Sequence, residues 1–342
     1  MIYFNFIKMG KIIGRLQMVG IANETEKGVG VEPIYWLSVV DKDLNPIVET
    51  KIKEGSFGRI ETGYETEIVS KHNEPNFSGL VFDNSFGLLL LAALGEVESE
   101  LKSGEKAVYE HTFSVKNDND HPSLTISFSD ENLKKWVKYA MLSSLTIDAS
   151  VDDYVRYSAD FVGRFEADME ESYPGFGAVF TEENVFTSRF IEIKIADNIE
   201  GLATADPIKA QKISLGIKKN PIVIYSFGSP EPSEIHNGDF EVEGSLDVVM
   251  DLSEGQYRDF FAGNKTKAMS ITLKNTDITI GKSSNPEIKI ILAKIKFNPY
   301  KMDAKLGDIM KETVSFKSYY SIADTKSIEA VITNTVGSYI EE

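Results

Sequence analysis

The pattern of residues 77–94, Phe-Ser-Gly-Leu-Val-Phe-Asp-Asn-Ser-Phe-Gly-Leu-Leu-Leu-Leu-Ala-Ala-Leu, returns in outline near residues 240–262. In both places a strand pattern runs into an Asp, then a Ser-containing start, then an apolar helical stretch ending at a Gly. Strand-like segments follow each copy in the same order. They are Ser123–Phe128, Ser143–Ala149 and Val155–Phe161 after the first, and Met269–Leu273, Ile290–Phe297 and Thr313–Tyr319 after the second. Such a repeat constrains the fold more than any single motif, because both copies must bury their apolar faces by one solution. A mostly β unit carried twice, with no catalytic signature, reads as a building block.

Alternation of apolar and polar residues, the period of a half-buried strand, dominates the chain. It marks Ile34–Val40, Thr112–Val115, Leu124–Phe128, Leu145–Ala149, Ile191–Ile195, Phe240–Val249 and Ile288–Phe297. These runs are rich in Val, Ile, Thr, Phe and Tyr and are bounded by Gly, Asn, Asp or Pro. The expected fold class is therefore mainly β. Helical signals are best at Ser85–Leu94, with Asp83 or Asn84 as cap and Gly95 as stop, and at Ser253–Ala262, between Ser253 and Gly263. The first helix is apolar nearly all round (Phe86, Leu88, Leu89, Leu91, Leu94), so a sheet or a neighbouring subunit has to cover it. Asn45–Glu74 is polar and charged with sparse apolar residues, the pattern of a long protruding hairpin or loop that a partner orders. Its counterpart, Lys212–Asn237, is stiffened by Pro221, Pro230 and Pro232. Phe165–Phe186 reads as the linker between halves.

Composition narrows the functional classes. A chain of 342 residues, 42% of them hydrophobic, can fill two domains of ordinary size. The absence of cysteine excludes disulfides, thiolate metal sites and thiol nucleophiles. A formal charge of −17 argues against tight binding to nucleic acid, which needs Lys and Arg to displace counterions. An acidic wall near DNA would repel it instead. Met1–Leu16 is interrupted by Lys8 and Lys11 and lacks the layout of a signal peptide, so an extra strand or arm is expected there. No apolar run reaches the ~18 residues that span a membrane, and no membrane partner is expected.

Chemistry-bearing motifs are scarce. The histidines, His72, His111, His121 and His236, show no helical i, i+4 pair and no His-Glu-x-x-His, and turn or edge positions are expected for them. Asn117–His121 is similar to a fragment of a calcium loop but lacks its central Gly and distal acid, which leaves a solvated turn. Gly28-Val-Gly30 begins like a dinucleotide fingerprint, yet Pro33 and a strand follow, so it is a loop. Asp148 and Asp152 flank a turn; a carbohydrate-active β-sandwich enzyme would need two close carboxylates in an aromatic cleft, and no such constellation is visible. Tyr154 and Tyr157 read as packing residues. No catalytic, metal or cofactor residue is assigned.

Several segments, taken in order, resemble a bacteriophage tail tube protein, the major tail protein of long-tailed phages. They are Gly20–Leu37, Phe77–Leu91, His121–Ile126, Tyr139–Ile147 and Tyr154–Gly163, covering residues 17–165. Gly307–Tyr319 is similar to the closing strand pair of the same unit. The resemblance implies two tandem tail-tube-like units of β-sandwich or half-barrel type, each flanked by a short helix. They would occupy residues 17–165 and 187–342, after an N-terminal arm (1–16) and joined by a linker (166–186).

Subunits of this family form rings that stack into a tube, through which DNA passes into the host. The implied partners are the chain itself, tape-measure, tail completion and baseplate proteins, and DNA sliding through the lumen without specific binding. No cofactor is implied. The implied location is the virion tail, after assembly in the bacterial cytoplasm. If both halves are tube-like, three chains supply a ring; if only one is, six are needed, and the repeat favours three. The 45–74 segment would be an inter-ring arm, carried by Glu49, Lys51, Lys53, Phe57, Arg59, Ile60 and Tyr64. Asp148, Asp152, Asp153 and Asp160 of the closing hairpin are expected to face the lumen, with solvent-facing loop charges as the alternative. The same fold serves tail completion, baseplate and injection-machine components. A cell-surface adhesin would need a signal peptide.

Overall fold

The computed structural model of the protein describes residues 13–56, 58–130, 133–169, 183–249, 260, 262–303 and 309–340. Strands β1 (Met18–Asn23), β2 (Tyr35–Leu37), β3 (Val39–Asp43), β4 (Pro46–Ile52), β5 (Thr66–Asn73) and β6 (Asn76–Leu80) precede helix α1 (Phe86–Leu94). There follow β7 (Gly95–Leu101), β8 (Tyr109–Val115), β9 (Leu124–Ser129), β10 (Lys134–Ser150), β11 (Arg156–Val162) and β12 (Ala167–Asp168). Then come β13 (Ile191–Ala196), β14 (Ala210–Lys218), β15 (Ile222–Tyr225), β16 (Pro232–His236) and β17 (Glu241–Val249). The last are β18 (Lys267–Lys274), β19 (Glu287–Asp303), β20 (Lys311–Ser318) and β21 (Ile328–Asn334). The fold is mainly β, as the alternation requires, and every strand pairing among the described residues is antiparallel.

Strand pairing repeats along the chain. The order β1-β9-β10-β11-β6-β3 in the first half recurs as β13-β18-β19-β20-β17-β14 in the second. The long strands β10 and β19, 17 residues each, sit at matching places. Irregularities recur too. The bulge between Leu142 and Ser144 in β10 returns between Phe297 and Tyr300 in β19. The one between Val39 and Asp41 in β3 returns between Ala210 and Lys212 in β14. A bulge adds one residue and re-aims the strand, so coincident bulges mean that the two halves bend alike.

The halves are joined by strand pairing. Residues Ser144–Ser150 of β10 pair with Lys212–Lys218 of β14, which yields one run of eight strands, β3-β6-β11-β10-β14-β17-β20-β19. At the far end β21 returns to pair with β8, and β8 with β7. A single apolar core runs through both halves, from Phe77, Leu142 and Phe161 to Ile217, Val242 and Phe316.

Helix α1 lies in that core, and all nine of its residues, Phe86, Leu88, Leu89, Leu91 and Leu94 among them, are buried. Its cover is the chain's own: β7, β8, β10 and the ring of Tyr339. Burying each Leu or Phe stabilises by about 1.5–3 kcal/mol. Gly95 ends the helix in the left-handed conformation (φ 99°), where a Cβ is unfavourable. The cap differs from the sequence expectation. Ser85 holds the N-cap position, and neither Asp83 nor Asn84 caps it; Glu183 accepts hydrogen bonds from the Ser85 backbone N–H (3.4 Å) and hydroxyl (2.7 Å). Asp83 instead accepts from the backbone and side-chain amides of Asn184. The expected helix at Ser253–Ala262 lies outside the described residues except for Phe260 and Ala262; the Phe260 ring stacks on Phe297.

Candidate assembly interface

The eight-strand sheet has two open ends. Among the described residues β3 pairs only with β6, and β19 beyond Ile295 pairs only with β20. Open edges carry unpaired N–H and C=O groups and invite another strand. Both edges carry charge, with Asp41, Lys42 and Asp43 on β3 and Lys296 and Lys301 on β19.

One face of this sheet packs on the core and the other is polar. Across it run Ser78, Ser158, Thr146, Gly216, Glu243 and Lys317, each beside the next. The adjacent row is Leu80, Arg156, Asp148, Ser214, Ser245 and Ser315. Of the four acids expected to face a lumen, Asp148 and Asp160 lie on this face. Asp152 (φ 63°) and Asp153 sit in the turn between β10 and β11. Asp153 accepts from the Tyr154 N–H and from Arg156, whose guanidinium holds its carboxyl below the usual range. Asp160 accepts from the Ser144 hydroxyl at 2.6 Å. The face is balanced rather than purely acidic: Lys218 pairs with Glu243, and Lys317 with Glu241 at 3.1 Å.

Two hairpins leave the same end of the sheet, β4–β5 from the first half and β15–β16 from the second. On the first, Lys53 bridges Glu65 and Glu67, both at 2.8 Å, and Glu49 accepts from Ser70. Lys51 and Arg59 are exposed, Tyr64 is 68% exposed and Ile60 wholly so. Phe57 lies outside the described residues. Val48, Ile52, Ile68 and Val69 are also exposed on this hairpin.

The second hairpin is seated. Ile235 is fully buried against Tyr139 and Met141, with Val162 and Val223 alongside, in a cluster separate from the main core. Arg164 donates to the carbonyls of Pro232 and Ser233. The hairpins touch through Lys71 N–H to Pro230 C=O (2.8 Å), the Lys71–Glu231 ion pair (2.8 Å) and a His72–Tyr225 hydrogen bond (3.0 Å).

Several buried polar groups brace this arrangement and were not legible in the sequence. Glu24 accepts from the N–H groups of Gly28 and Tyr139 and the hydroxyls of Ser123 and Thr125, at 2.6–2.9 Å. This ties down the glycine loop. Lys219, fully buried at the end of β14, donates to the Ala92 carbonyl in the last turn of α1 and to His121 Nδ1. Burial pushes its ammonium down to about 7, and burial plus the Lys219 charge pushes His121 down to about 4. His111 and His121 are both buried: His111 lies on β8 between β7 and β21 rather than at a turn or edge and bonds Ser99 and the Val336 carbonyl, whereas His121 lies in the loop before β9. Tyr157 packs in the core, whereas Tyr154 is 44% exposed because it lies in the turn before β11. No local pattern announces the partners of Glu24 and Lys219, most of which stand about a hundred residues away.

Among the described residues no group of three or more His, Cys, Asp or Glu side chains is placed to hold a metal ion, and no helix is long and apolar enough to cross a membrane. The profile of a family described as phage tail tube protein matches residues 74–317 of the chain. No curated protein matches it.

Proposed function

Because the chain belongs to the phage tail tube protein family, we propose that it polymerises as rings stacked into a tube around a channel for DNA. The observation that carries this reading is the eight-strand sheet, half from each repeat, with an open edge at both ends. A sheet open at both ends joins head to tail with copies of itself, and such heterologous contacts close into rings when the rotation permits. Two equivalent units per chain, at 17–165 and 187–342, favour three chains per ring over six.

The polar face of the sheet is the channel wall in this reading. It is rich in Ser and Thr, and Arg156, Lys218 and Lys317 on it are paired with acids, which leaves phosphates fewer free cations to displace counterions. The net charge of −17 adds long-range repulsion. DNA would slide past without specific binding. The tip of β4–β5, with Arg59, Ile60 and Tyr64, is the arm toward the next ring. Tape-measure, tail completion and baseplate proteins are the other partners, the virion tail is the site of action, and no catalysis is involved.

Electron microscopy of the purified chain, concentrated alone, tests this. Hollow tubes of uniform diameter are expected. Discrete single rings would move the assignment to a completion or baseplate component, and persistent monomers would refute self-assembly.

A further inference from the structure

Three lysines on the polar face of the eight-strand sheet are exposed and make no ion pair among the described residues: Lys212 on β14, Lys301 on β19 and Lys311 on β20. They are neighbours. Lys212 lies opposite Asp247, Asp247 opposite Thr313, and Thr313 opposite Lys301, while Lys311 is the next residue of β20 on the same face. At the usual strand spacing the group spans about 14 Å. The acids among them are Asp247, whose carboxylate accepts from the Thr313 hydroxyl at 2.7 Å, and Asp303, opposite Lys311 in the ladder. The first repeat is built differently at the same places. Matching bulges align the two, Val39/Asp41 of β3 with Ala210/Lys212 of β14, and Leu142/Ser144 of β10 with Phe297/Tyr300 of β19. Lys212 then stands where the first repeat has Asp41, Lys301 where it has Thr146, and Lys311 where it has Arg156, which is paired with Asp153 at 3.1 Å. Ser214 and Ser315 take the places of Asp43 and Asp160, and only Asp247, in the place of Ser78, changes the charge the other way.

The core side of the same strands kept its character, with Phe161 matched by Phe316 and Leu142 by Phe297. Packing fixes that side, whereas exchanges on an exposed face change stability little. The reversal of charge is therefore not imposed by the fold. Resting on the ring reading above, we propose that the two repeats divide the channel wall electrostatically: the facet of the second repeat, through Lys212, Lys301 and Lys311, is a contact surface for the phosphates of DNA, and the facet of the first, with Asp41, Asp43, Asp148 and Asp160, repels them. In a ring of three chains, lysine facets alternate with acidic ones, so the channel has threefold rather than sixfold electrostatic symmetry. Attraction by exposed lysines reaches about one Debye length, ~8 Å at physiological salt. Contacts to phosphate carry no sequence information. The acidic facets on either side limit how many phosphates each lysine facet gathers. A duplex is thus guided laterally without a stable bound state.

The test is binding of a short, fluorescently labelled DNA duplex across a salt series, read by anisotropy on the dilute, unassembled chain and on tubes. The test variant is Lys212→Gln, Lys301→Gln, Lys311→Gln. The control, Lys106→Gln, Lys265→Gln, Lys282→Gln, makes the same change of net charge at exposed loop lysines outside the eight-strand sheet. All these side chains are exposed, so circular dichroism should not change in either variant. Each phosphate contact contributes about 0.9 to the slope of log K against log salt, so the test variant should flatten the slope by about 2–3 and weaken binding at low salt. The control should keep the parent slope, and Asp160→Asn should tighten binding. A test variant that binds like the parent, a control that loses as much, or a parent chain that binds no duplex at the lowest salt would overturn the lysine facet and leave the tube reading standing. Lysine-dependent binding by a chain that forms no tubes would overturn the ring reading and keep the facet.

Discussion

Gly87 sits in the second residue of α1 beneath the ring of Tyr339, and the contact leaves no space for a side chain. A Cβ built on Gly87 would stand 2.1 Å from Tyr339 Cζ and 2.3 Å from its hydroxyl oxygen. Gly87→Ala must therefore displace the ring by more than 1 Å, since ordinary contact begins near ~3.4 Å. That ring is anchored: its hydroxyl donates to the Asn84 carbonyl (2.6 Å) and accepts from Asn334 Nδ2 (2.7 Å), and its edge meets His111. Overpacking costs about 1–3 kcal/mol, and two buried hydrogen bonds are worth about 1 kcal/mol each. Alanine's better helix propensity returns about 0.5–1 kcal/mol. The net expectation is a loss of about 2–4 kcal/mol, read from urea unfolding followed by the fluorescence of Trp36 and Trp136. Tyr339→Ala removes the obstacle, so the double variant should cost less than the sum of the singles by at least ~1 kcal/mol. A Gly87→Ala protein within ~0.5 kcal/mol of the parent, or strict additivity, would refute the reasoning.

Glu24→Ala leaves four donors without their acceptor and should cost at least ~3 kcal/mol in the same assay; a loss under ~1 kcal/mol would show that water replaces the carboxylate. His121, held down to about 4, stays neutral in the folded protein where the unfolded chain takes up a proton. Its stabilisation is complete above pH ~6.5 and is lost as pH falls toward 4, by up to about 3 kcal/mol. His121→Gln should flatten that part of the pH profile, and an unchanged slope would contradict the assignment. Deleting residues 50–70 should leave a folded monomer by circular dichroism that makes no tubes under the microscope; tubes from the deleted chain would sink the arm.

The repeat was legible because both halves keep the alternation that a half-buried strand needs. The segments read at Leu124–Phe128 and Val155–Phe161, and again at Met269–Leu273 and Thr313–Tyr319, are β9, β11, β18 and β20. The all-apolar helix was legible from Phe86–Leu94 for the same reason: no water-facing stripe is present. β10 was legible only in its C-terminal half, Ser143–Ala149, because Lys134, Lys135 and Lys138 break the alternation over the half that pairs with β9. Ile34–Val40 became two strands because β2 pairs with β1 and β3 with β6, a switch that occurs at Ser38. The N-terminus of α1 departs from the sequence expectation because Glu183, 98 residues away, supplies the acceptor there in place of Asp83. Nothing near Lys219 in sequence reveals the helix end and imidazole that receive it. Long-range polar pairing escapes a one-dimensional reading whenever neither partner has a local signature.

The most direct test of the account is cryo-electron microscopy of tubes grown from the purified chain, at a resolution that traces strands. The account predicts rings of three chains in which an unbroken sheet crosses each chain boundary, with β19 of one copy beside β3 of the next. Six chains per ring, or chain boundaries at which no strands pair, would contradict it.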